Sequence, residues 1–354
     1  MKKKRIVKIG IMLFMIIGMC GCAKLPVEND NSTEESTEWK EMETENIQCA
    51  VYKAKVHEVS QELLVELFAS QREETLSQEK ESQFYKGKTA YSYWYEDETR
   101  LYMDCGVLTF NTKEYENYPI QYFLDEKIAS EIFPEGVEMV CPQKDLWFMT
   151  YQDAERLVSD YLEQLGIEYG ADWTGYSITG TVLTEAVNRR YPQDEYEADV
   201  SFGYGEVKRE FGEEDDIFLF WIPLAIEGHE LSAEGIYAAN QTYQLPAGWA
   251  QAIVGSTGLW YLEVWHSFDQ TGIIETGNII SDGSAVKLAE EYCSHLLGVG
   301  EIKLENQGLH YVPEIKTVMT ADAFELYPAW LIEATTETGA STLLYVDALT
   351  GEVK

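Results

Sequence analysis

Two stretches of the sequence carry the same helical pattern of apolar residues, and this pattern limits the folds open to the chain. The first stretch places apolar side chains at Ala154, Leu157, Val158, Tyr161, Leu162 and Leu165. The second repeats the spacing 131 positions later, at Ala285, Leu288, Ala289, Tyr292, Cys293 and Leu296. Residues at these intervals lie on one face of an α-helix. The sequence therefore predicts two amphipathic helices, each with one side packed against another layer.

Alternating apolar residues predict strands around both helices. The predicted hairpins are 91–95 with 101–110 around a turn at 97–100, and 259–268 with 273–280 around a turn at 269–272. Further strand-like segments follow the first helix at 176–184, 196–203 and 216–226, and the second helix at 309–319, 327–334 and 342–346. We therefore predict an α+β fold of two tandem hairpin–helix–antiparallel meander units, with one helix packed on each sheet. The two domains are predicted at residues 49–230 and 231–354.

The N-terminus has the pattern of an exported bacterial protein. Five basic residues lie within positions 2–8, and an apolar run follows from position 9 to position 19. This run is too short to span a bilayer but fits the core of a signal peptide. It ends in Met19-Cys20-Gly21-Cys22, and a small residue directly before a cysteine at this place resembles a bacterial lipobox.

The lipobox resemblance implies a lipoprotein signal peptide over residues 1–21 and a diacylglyceryl group on the sulfur of Cys22. Cys20, which follows Met19, is the poorer acceptor, and an ordinary secretory signal is the alternative. We therefore expect the protein on the extracytoplasmic face of the cell membrane, held there by its lipid anchor.

Acidic residues dominate the composition. Residues 22–48 are polar and acidic and cannot bury a core, so we predict a flexible tether. The chain as a whole has 62 acidic and 26 basic residues, a formal net charge of −36. Phosphate binding requires a basic surface, so this charge argues against a nucleic-acid partner.

The end of the chain carries a second resemblance. The last strand and turn read Tyr345-Val346-Asp347-Ala348-Leu349-Thr350-Gly351-Glu352-Val353. This sequence, with the preceding helix and the Pro328–Trp330 strand, resembles the PepSY-type module over residues 258–354. We expect Asp347 to accept hydrogen bonds from backbone amides ahead of it and Gly351 to supply the permissive backbone.

The layout also resembles uncharacterised clostridial-type lipoproteins grouped as a domain of unknown function. More distantly, it is similar to extracytoplasmic accessory proteins that restrain cell-wall sensor kinases. The PepSY resemblance implies binding or restraint of a protein partner, such as a peptidase or a membrane regulator. It implies no catalytic residue, and residues 222–228 of the first unit lack the terminal motif.

The usual catalytic and metal-binding patterns are absent from the sequence. Ser284 and Lys287 form Ser-x-x-Lys at a predicted helix start, but no Lys-Thr-Gly accompanies them, so Ser284 is predicted to be an N-cap. The histidines show no zinc-ligand spacing, and His266 is predicted to be a half-exposed strand residue. No metal, cofactor or catalytic residue is predicted.

Four cysteines lie beyond the signal region, and three disulfide connectivities are open to them. Cys49 paired with Cys105 or Cys141 is one option, and Cys293 is predicted to be a buried thiol on its helix.

These observations favour a non-enzymatic, protein-binding or regulatory lipoprotein. We predict its contact surface on the exposed side of the last sheet, near Trp330 and Tyr345. An extracellular hydrolase of glycans or peptides is one alternative. A cell-wall carbohydrate-binding protein that uses Trp260 or Trp265 as a stacking platform is the other.

Overall fold

Two large β-sheets, one two-stranded ladder and six α-helices make up the described part of the chain. The computed structural model describes residues 47–117, 123, 126–190, 208–233, 237–238, 247–295, 302–315, 323–337 and 339–354. The strands are β1 (Gln48–Val56), β2 (Glu74–Glu81), β3 (Thr89–Tyr95), β4 (Arg100–Asp104), β5 (Val107–Asn111), β6 (Thr174–Ile178), β7 (Ile217–Pro223), β8 (Ala225–Ile226), β9 (His229–Glu230), β10 (Tyr237–Ala238), β11 (Trp249–Gly255), β12 (Gly258–Trp265), β13 (Phe268–Asn278), β14 (Ile302–Ile315), β15 (Phe324–Thr336) and β16 (Ser341–Asp347). The helices are α1 (Gln61–Ala69), α2 (Glu126–Ile132), α3 (Val137–Val140), α4 (Tyr151–Gln164), α5 (Gly180–Arg190) and α6 (Asp282–Ser294), with 3₁₀ turns at Lys113–Asn117 and Glu213–Asp215.

The larger sheet has eight strands in the order β2-β3-β4-β5-β12-β11-β7-β6, and every neighbouring pair is antiparallel. The smaller sheet has six strands in the order β10-β14-β15-β1-β13, with β16 paired to the second half of β15. Its pairs are antiparallel except for the short contact between β10 and β14. Strands β8 and β9 form a separate ladder. The predicted α+β class is confirmed.

The two predicted helices pack on different sheets. The buried face of α4 is Ala154, Val158 and Leu162, and it joins the core cluster of the eight-stranded sheet with Phe218 and Phe220. The buried face of α6 is Ala285, Ala289 and Cys293, and it packs on Ile332, Leu344 and Val346 of the six-stranded sheet. Burying apolar side chains on both partners supplies the main favourable free energy for each contact.

The sheets exchange strands between the two halves of the sequence. Strand β1 belongs to the first half but pairs with β13 and β15 in the six-stranded sheet. Strands β11 and β12 belong to the second half but lie between β5 and β7 in the eight-stranded sheet. The predicted boundary at residues 230 and 231 therefore does not divide the sheets, and the two units interlock rather than follow one another.

The predicted hairpin of the second half does not form. Residues 269–272, predicted as a turn, continue strand β13, because β1 supplies backbone partners for Asp269, Gln270 and Gly272. The chain instead changes direction at His266, whose φ is 43°, and passes from the eight-stranded to the six-stranded sheet. His266 is fully buried at this crossing, so its prediction as a half-exposed strand residue is wrong.

Three local predictions also need correction. The segment 101–110 is not one strand, because a turn at Cys105 and Gly106 divides it into β4 and β5. The segment predicted as a strand over 176–184 contains the end of β6 and the start of α5, which packs with α2 and α3 against the second face of the eight-stranded sheet. Helix α6 is capped by Ser281, whose Oγ accepts from the Ser284 amide, so Ser284 is not the N-cap.

Candidate functional site

The predicted contact residues Trp330 and Tyr345 do not share an exposed surface. Trp330 faces α6, where its Nε1 donates to the carbonyl oxygen of Ile280 at 3.1 Å. Tyr345 lies opposite Leu331 on the other face of the sheet and is 2% exposed. Tyr345 therefore offers no side-chain surface, and Trp330 is half-buried against α6, so the contact surface near these residues stays a prediction.

The predicted sugar platform is also largely buried. Trp260 belongs to the core beneath α5, and its Nε1 donates to Thr257 Oγ1 at 2.7 Å. Trp265 is half-buried and packs beside Trp249 and the edge of Phe84. Trp260 therefore offers no face to a ligand, and Trp265 has only a partly exposed ring.

The turn after β16 has the geometry expected of its sequence. Asp347 Oδ1 accepts from the amides of Leu349 and Thr350, each at 2.9 Å. Gly351 has a φ of 75°, which residues with a side chain rarely adopt. Cys22, the signal peptide and all but the last residues of the tether lie outside the described residues.

Two of the connections that carry the chain between the sheets are hydrogen-bonded to each other. The first leads from β1 to α1 through His57 and Glu58, and the second leads from β12 to β13 through His266 and Ser267. The His57 amide donates to the carbonyl oxygen of Ser267 at 2.9 Å, and the His266 amide donates to that of Gly106 at 2.7 Å. We call this place, where the two connections meet, the junction.

Gly106 permits the close approach of these connections. Its φ is 78°, in the left-handed region. A methyl group on its α-carbon would overlap Val56 and come within 2.7 Å of His266 Cδ2. The turn between β4 and β5 can therefore sit against both connections only if this position has no side chain.

A cavity of about 270 Å³ opens beside the junction. The apolar part of its wall includes Leu64, Met103, Leu108, Ile167 and Val264. Polar side chains come from four separate segments: His57 and Glu58, then Lys88, Thr89 and Tyr91, then Cys105, and then Ser267. We call this space the junction cavity. It combines an apolar interior with charged groups in one place, as ligand pockets do.

Glu58 is the centre of the polar part of the junction cavity. Its Oε1 accepts from the Lys88 ammonium group and lies 3.5 Å from Cys105 Sγ. Burial, and secondly the negative charge of Glu58, raises the pKa of the Cys105 thiol to about 12, although Lys88 acts in the opposite direction. The thiol is therefore protonated at neutral pH and is a poor nucleophile.

His57 holds the start of β13. Its Nδ1 lies 2.6 Å from Asp269 Oδ1, and its Nε2 donates to the carbonyl oxygen of Leu165 at 2.9 Å. Both ring nitrogens are therefore engaged, and they tie the β1–α1 connection to the start of β13 and to the residue that ends α4.

The other cavities and cysteines give no stronger site. The junction cavity and two further cavities are each lined by one carboxylate, from Glu58, Glu333 and Glu155 respectively. Cys49, Cys105, Cys141 and Cys293 are buried free thiols, so the disulfide option is not realised. No cluster of three or more possible metal ligands occurs in the described ranges. The helices described here include none long and apolar enough to cross a membrane.

The free edge of β13 is the second candidate site. Within the described residues, β13 pairs only with β1 and lies at the end of its sheet. The side chains of Ile273 and Ile274 are 58% and 41% exposed. Exposed isoleucines on an edge with unpaired backbone groups offer a template for another strand.

Sequence reasoning missed both sites. The junction cavity draws His57, Glu58, Lys88 and Cys105 from segments that have no common spacing in the sequence. The signal available for the edge is the pair of adjacent isoleucines at 273 and 274. They lie among Thr and Gly residues, in the segment that the sequence predicts as a turn and a returning strand.

No protein-family model matches the chain, and no curated protein matches it. The fold has a counterpart among solved structures, in the crystal structure of an uncharacterized protein from Eubacterium rectale ATCC 33656 at 1.45 Å resolution. The similarity covers 87% of this chain and 86% of that chain, with a TM-score of 0.61 and 15% sequence identity. At this identity the likeness concerns the fold alone.

Proposed function

We propose that the protein is a lipid-anchored extracytoplasmic module that binds a protein partner without catalysing a reaction, and that it does so through the free edge of β13. The partner adds an extended segment to the six-stranded sheet. The observation that carries this proposal is the edge of β13, which has no second partner strand among the described residues, with its two exposed isoleucines. The lipobox resemblance of Cys22 and the PepSY-like C-terminus support the location and the absence of catalysis.

Charge favours a different protein over a second copy of this chain. Two copies, each with a formal net charge of −36, repel each other as their edges approach. A peptidase or membrane regulator that presents an uncharged or basic extended segment meets no such repulsion. Backbone hydrogen bonds then supply affinity, and the exposed side chains of Ile273 and Ile274 supply specificity.

The test is site-specific photocrosslinking in living cells, with a photoreactive residue at position 274 of the full-length chain. Position 76 is the matched control. Leu76 is 45% exposed and lies in β2, the edge strand of the eight-stranded sheet. We expect one partner, crosslinked from position 274 but not from position 76. With that partner purified, Ile274→Lys should weaken binding at least about tenfold, because a charge on an edge strand disfavours pairing.

Hydrogen exchange gives a second readout that does not depend on the variants. In the complex, amides of residues 271–278 should become protected, whereas those of β2 should not. Equal crosslinking from both positions, or recovery of wall glycan in place of a protein, would overturn the proposal. The second result would move weight to the carbohydrate-binding alternative.

A further inference from the structure

The junction cavity has the chemistry of a binding site that is separate from the β13 edge. Its wall side chains Leu64, Leu108, Ile167 and Val264 are almost completely buried, whereas Met103 is half-buried. Methionine adapts its shape to a neighbouring group more readily than branched side chains do. The interior is therefore suited to an apolar group with some variation in its shape.

The volume limits the size of that group. Pockets for drug-sized ligands occupy roughly 300–1,000 Å³. The junction cavity, at about 270 Å³, lies just below this range. It therefore fits one small apolar group, of the size of an amino-acid side chain, rather than a long acyl chain or a peptide segment.

The charges at the cavity restrict the polar end of the ligand. Glu58 and Lys88 form an ion pair there, and their side chains remain 47% and 29% exposed, so both are reachable from solvent. A ligand with a single charge can pair with only one of these two groups. A zwitterion can pair with both groups, and being neutral overall it is not repelled by the acidic chain.

We propose that the junction cavity binds a free apolar α-amino acid, with its side chain inside the cavity and its ammonium and carboxylate groups at the Glu58–Lys88 ion pair. The ammonium donates to the Glu58 carboxylate and the carboxylate accepts from the Lys88 ammonium. No bond is made or broken. Amino-acid binding at this site does not require a protein partner, so its test is independent of the test of the function proposed above.

The decisive experiment is calorimetric titration of the unaltered full chain in lipid nanodiscs, with empty nanodiscs as the background. The four probes are L-leucine, L-leucinamide, 4-methylpentanoate and glycine. Leucinamide lacks the carboxylate, 4-methylpentanoate lacks the ammonium group, and glycine lacks the apolar side chain. We expect L-leucine to bind at one site, and the first two analogues to bind at least about tenfold more weakly. Glycine should bind about 10- to 100-fold more weakly, from the usual free energy of burying a leucine side chain.

Variants locate the site. Glu58→Gln and Lys88→Met should each weaken L-leucine binding at least about tenfold. The exposed ion pair between Glu98 and Lys113 is the matched control, and Glu98→Gln and Lys113→Met should leave binding unchanged.

Several results would overturn the proposal. Leucinamide binding as tightly as leucine would indicate a site for cations at Glu58, and 4-methylpentanoate binding as tightly would indicate a site for anions at Lys88. Absence of a binding signal for all four probes would exclude an amino-acid site. Because the probe series uses the unaltered chain, it decides the matter even if a variant fails to fold.

Discussion

The edge strands of the two sheets differ in how they meet solvent. Strand β2, at the edge of the eight-stranded sheet, carries the charged residues Glu74, Glu79, Lys80 and Glu81 along its length. Strand β13, at the edge of the six-stranded sheet, carries Asp269 and Glu275, and Asp269 is already paired with His57 and Lys55. Charges on an edge oppose pairing with another chain. The difference indicates that charge protects β2 against added strands more strongly than it protects β13.

The two edge strands also differ in the contacts that hold them in place. Strand β2 continues into β3 through a local connection, so its place follows from its sequence neighbours. Strand β13 begins at the junction, and its partner β1 lies more than 200 positions away in the sequence. The open edge is therefore held by long-range contacts, and the four predictions below test that dependence, from the largest expected effect to the smallest.

Gly106→Ala should have the largest effect. A side chain at this position must adopt a left-handed backbone and would overlap Val56 and His266. Strain and overlap together should lower the free energy of unfolding by about 3 kcal/mol or more. Urea unfolding measures this value. Hydrogen exchange should show that the pairs between β1 and β13 lose protection while those between β2 and β3 keep it; equal loss in both would contradict the proposed role of the junction.

The rate at which the Cys105 thiol is alkylated tests whether the junction stays closed. With its pKa raised to about 12, against about 8.5 for an ordinary thiol, its thiolate population at pH 8 is about 10³-fold lower. A more basic thiolate is a stronger nucleophile, which offsets part of the loss in thiolate population. Alkylation of Cys105 by iodoacetamide should therefore be about 10²-fold slower than alkylation of a free cysteine. Peptide mass spectrometry over time gives the rate.

The raised pKa of Cys105 also makes the free energy of unfolding depend on pH. The folded chain keeps this proton to higher pH than the unfolded chain does, so the stabilisation is complete below pH 8.5 and is lost as pH rises towards 12. The alkylation rate should rise about tenfold per pH unit over this window. A rate at pH 8 equal to that of the unfolded chain would show that the junction opens freely.

Asp269→Asn should have an intermediate effect, because it weakens the attachment of β13 to His57. The substitution removes the charge from a contact that is partly exposed, so we expect a loss of about 1–2 kcal/mol in the free energy of unfolding. Glu98→Gln, which removes the charge from an exposed ion pair, should cost less than about 0.5 kcal/mol. Similar losses for both variants would mean that His57 does not anchor the edge.

The sequence was sufficient for features that depend on local spacing. The faces of α4 and α6 could be predicted because Ala154 and Val158, or Ala285 and Ala289, repeat within a helix turn. The α+β class followed from these helices and from alternating strands. The turn at Asp347 was also local, since its partners are the next few amides.

The exchange of strands could not be predicted in the same way. Residues 269–272 read Asp-Gln-Thr-Gly, a composition typical of turns, yet they form strand because β1 pairs with them. Strand formation depends on such partners more than on intrinsic preference. The junction cavity was missed for the same reason, because Glu58, Lys88 and Cys105 meet only after the sheets have exchanged β1 and β12.

The smallest effect on stability should come from the two edges themselves. Ile274→Lys and Leu76→Lys each replace an exposed apolar side chain at a sheet edge, and each should change the free energy of unfolding by less than about 0.5 kcal/mol. Urea unfolding of the two variants checks this. A loss above about 1 kcal/mol for Ile274→Lys alone would mean that Ile274 packs within the protein. A difference in partner binding between the two variants could then come from lost stability of the folded chain. If both changes are equally neutral to stability, any difference between the variants in partner binding arises from the edge of β13, because the folded chain itself does not need Ile274.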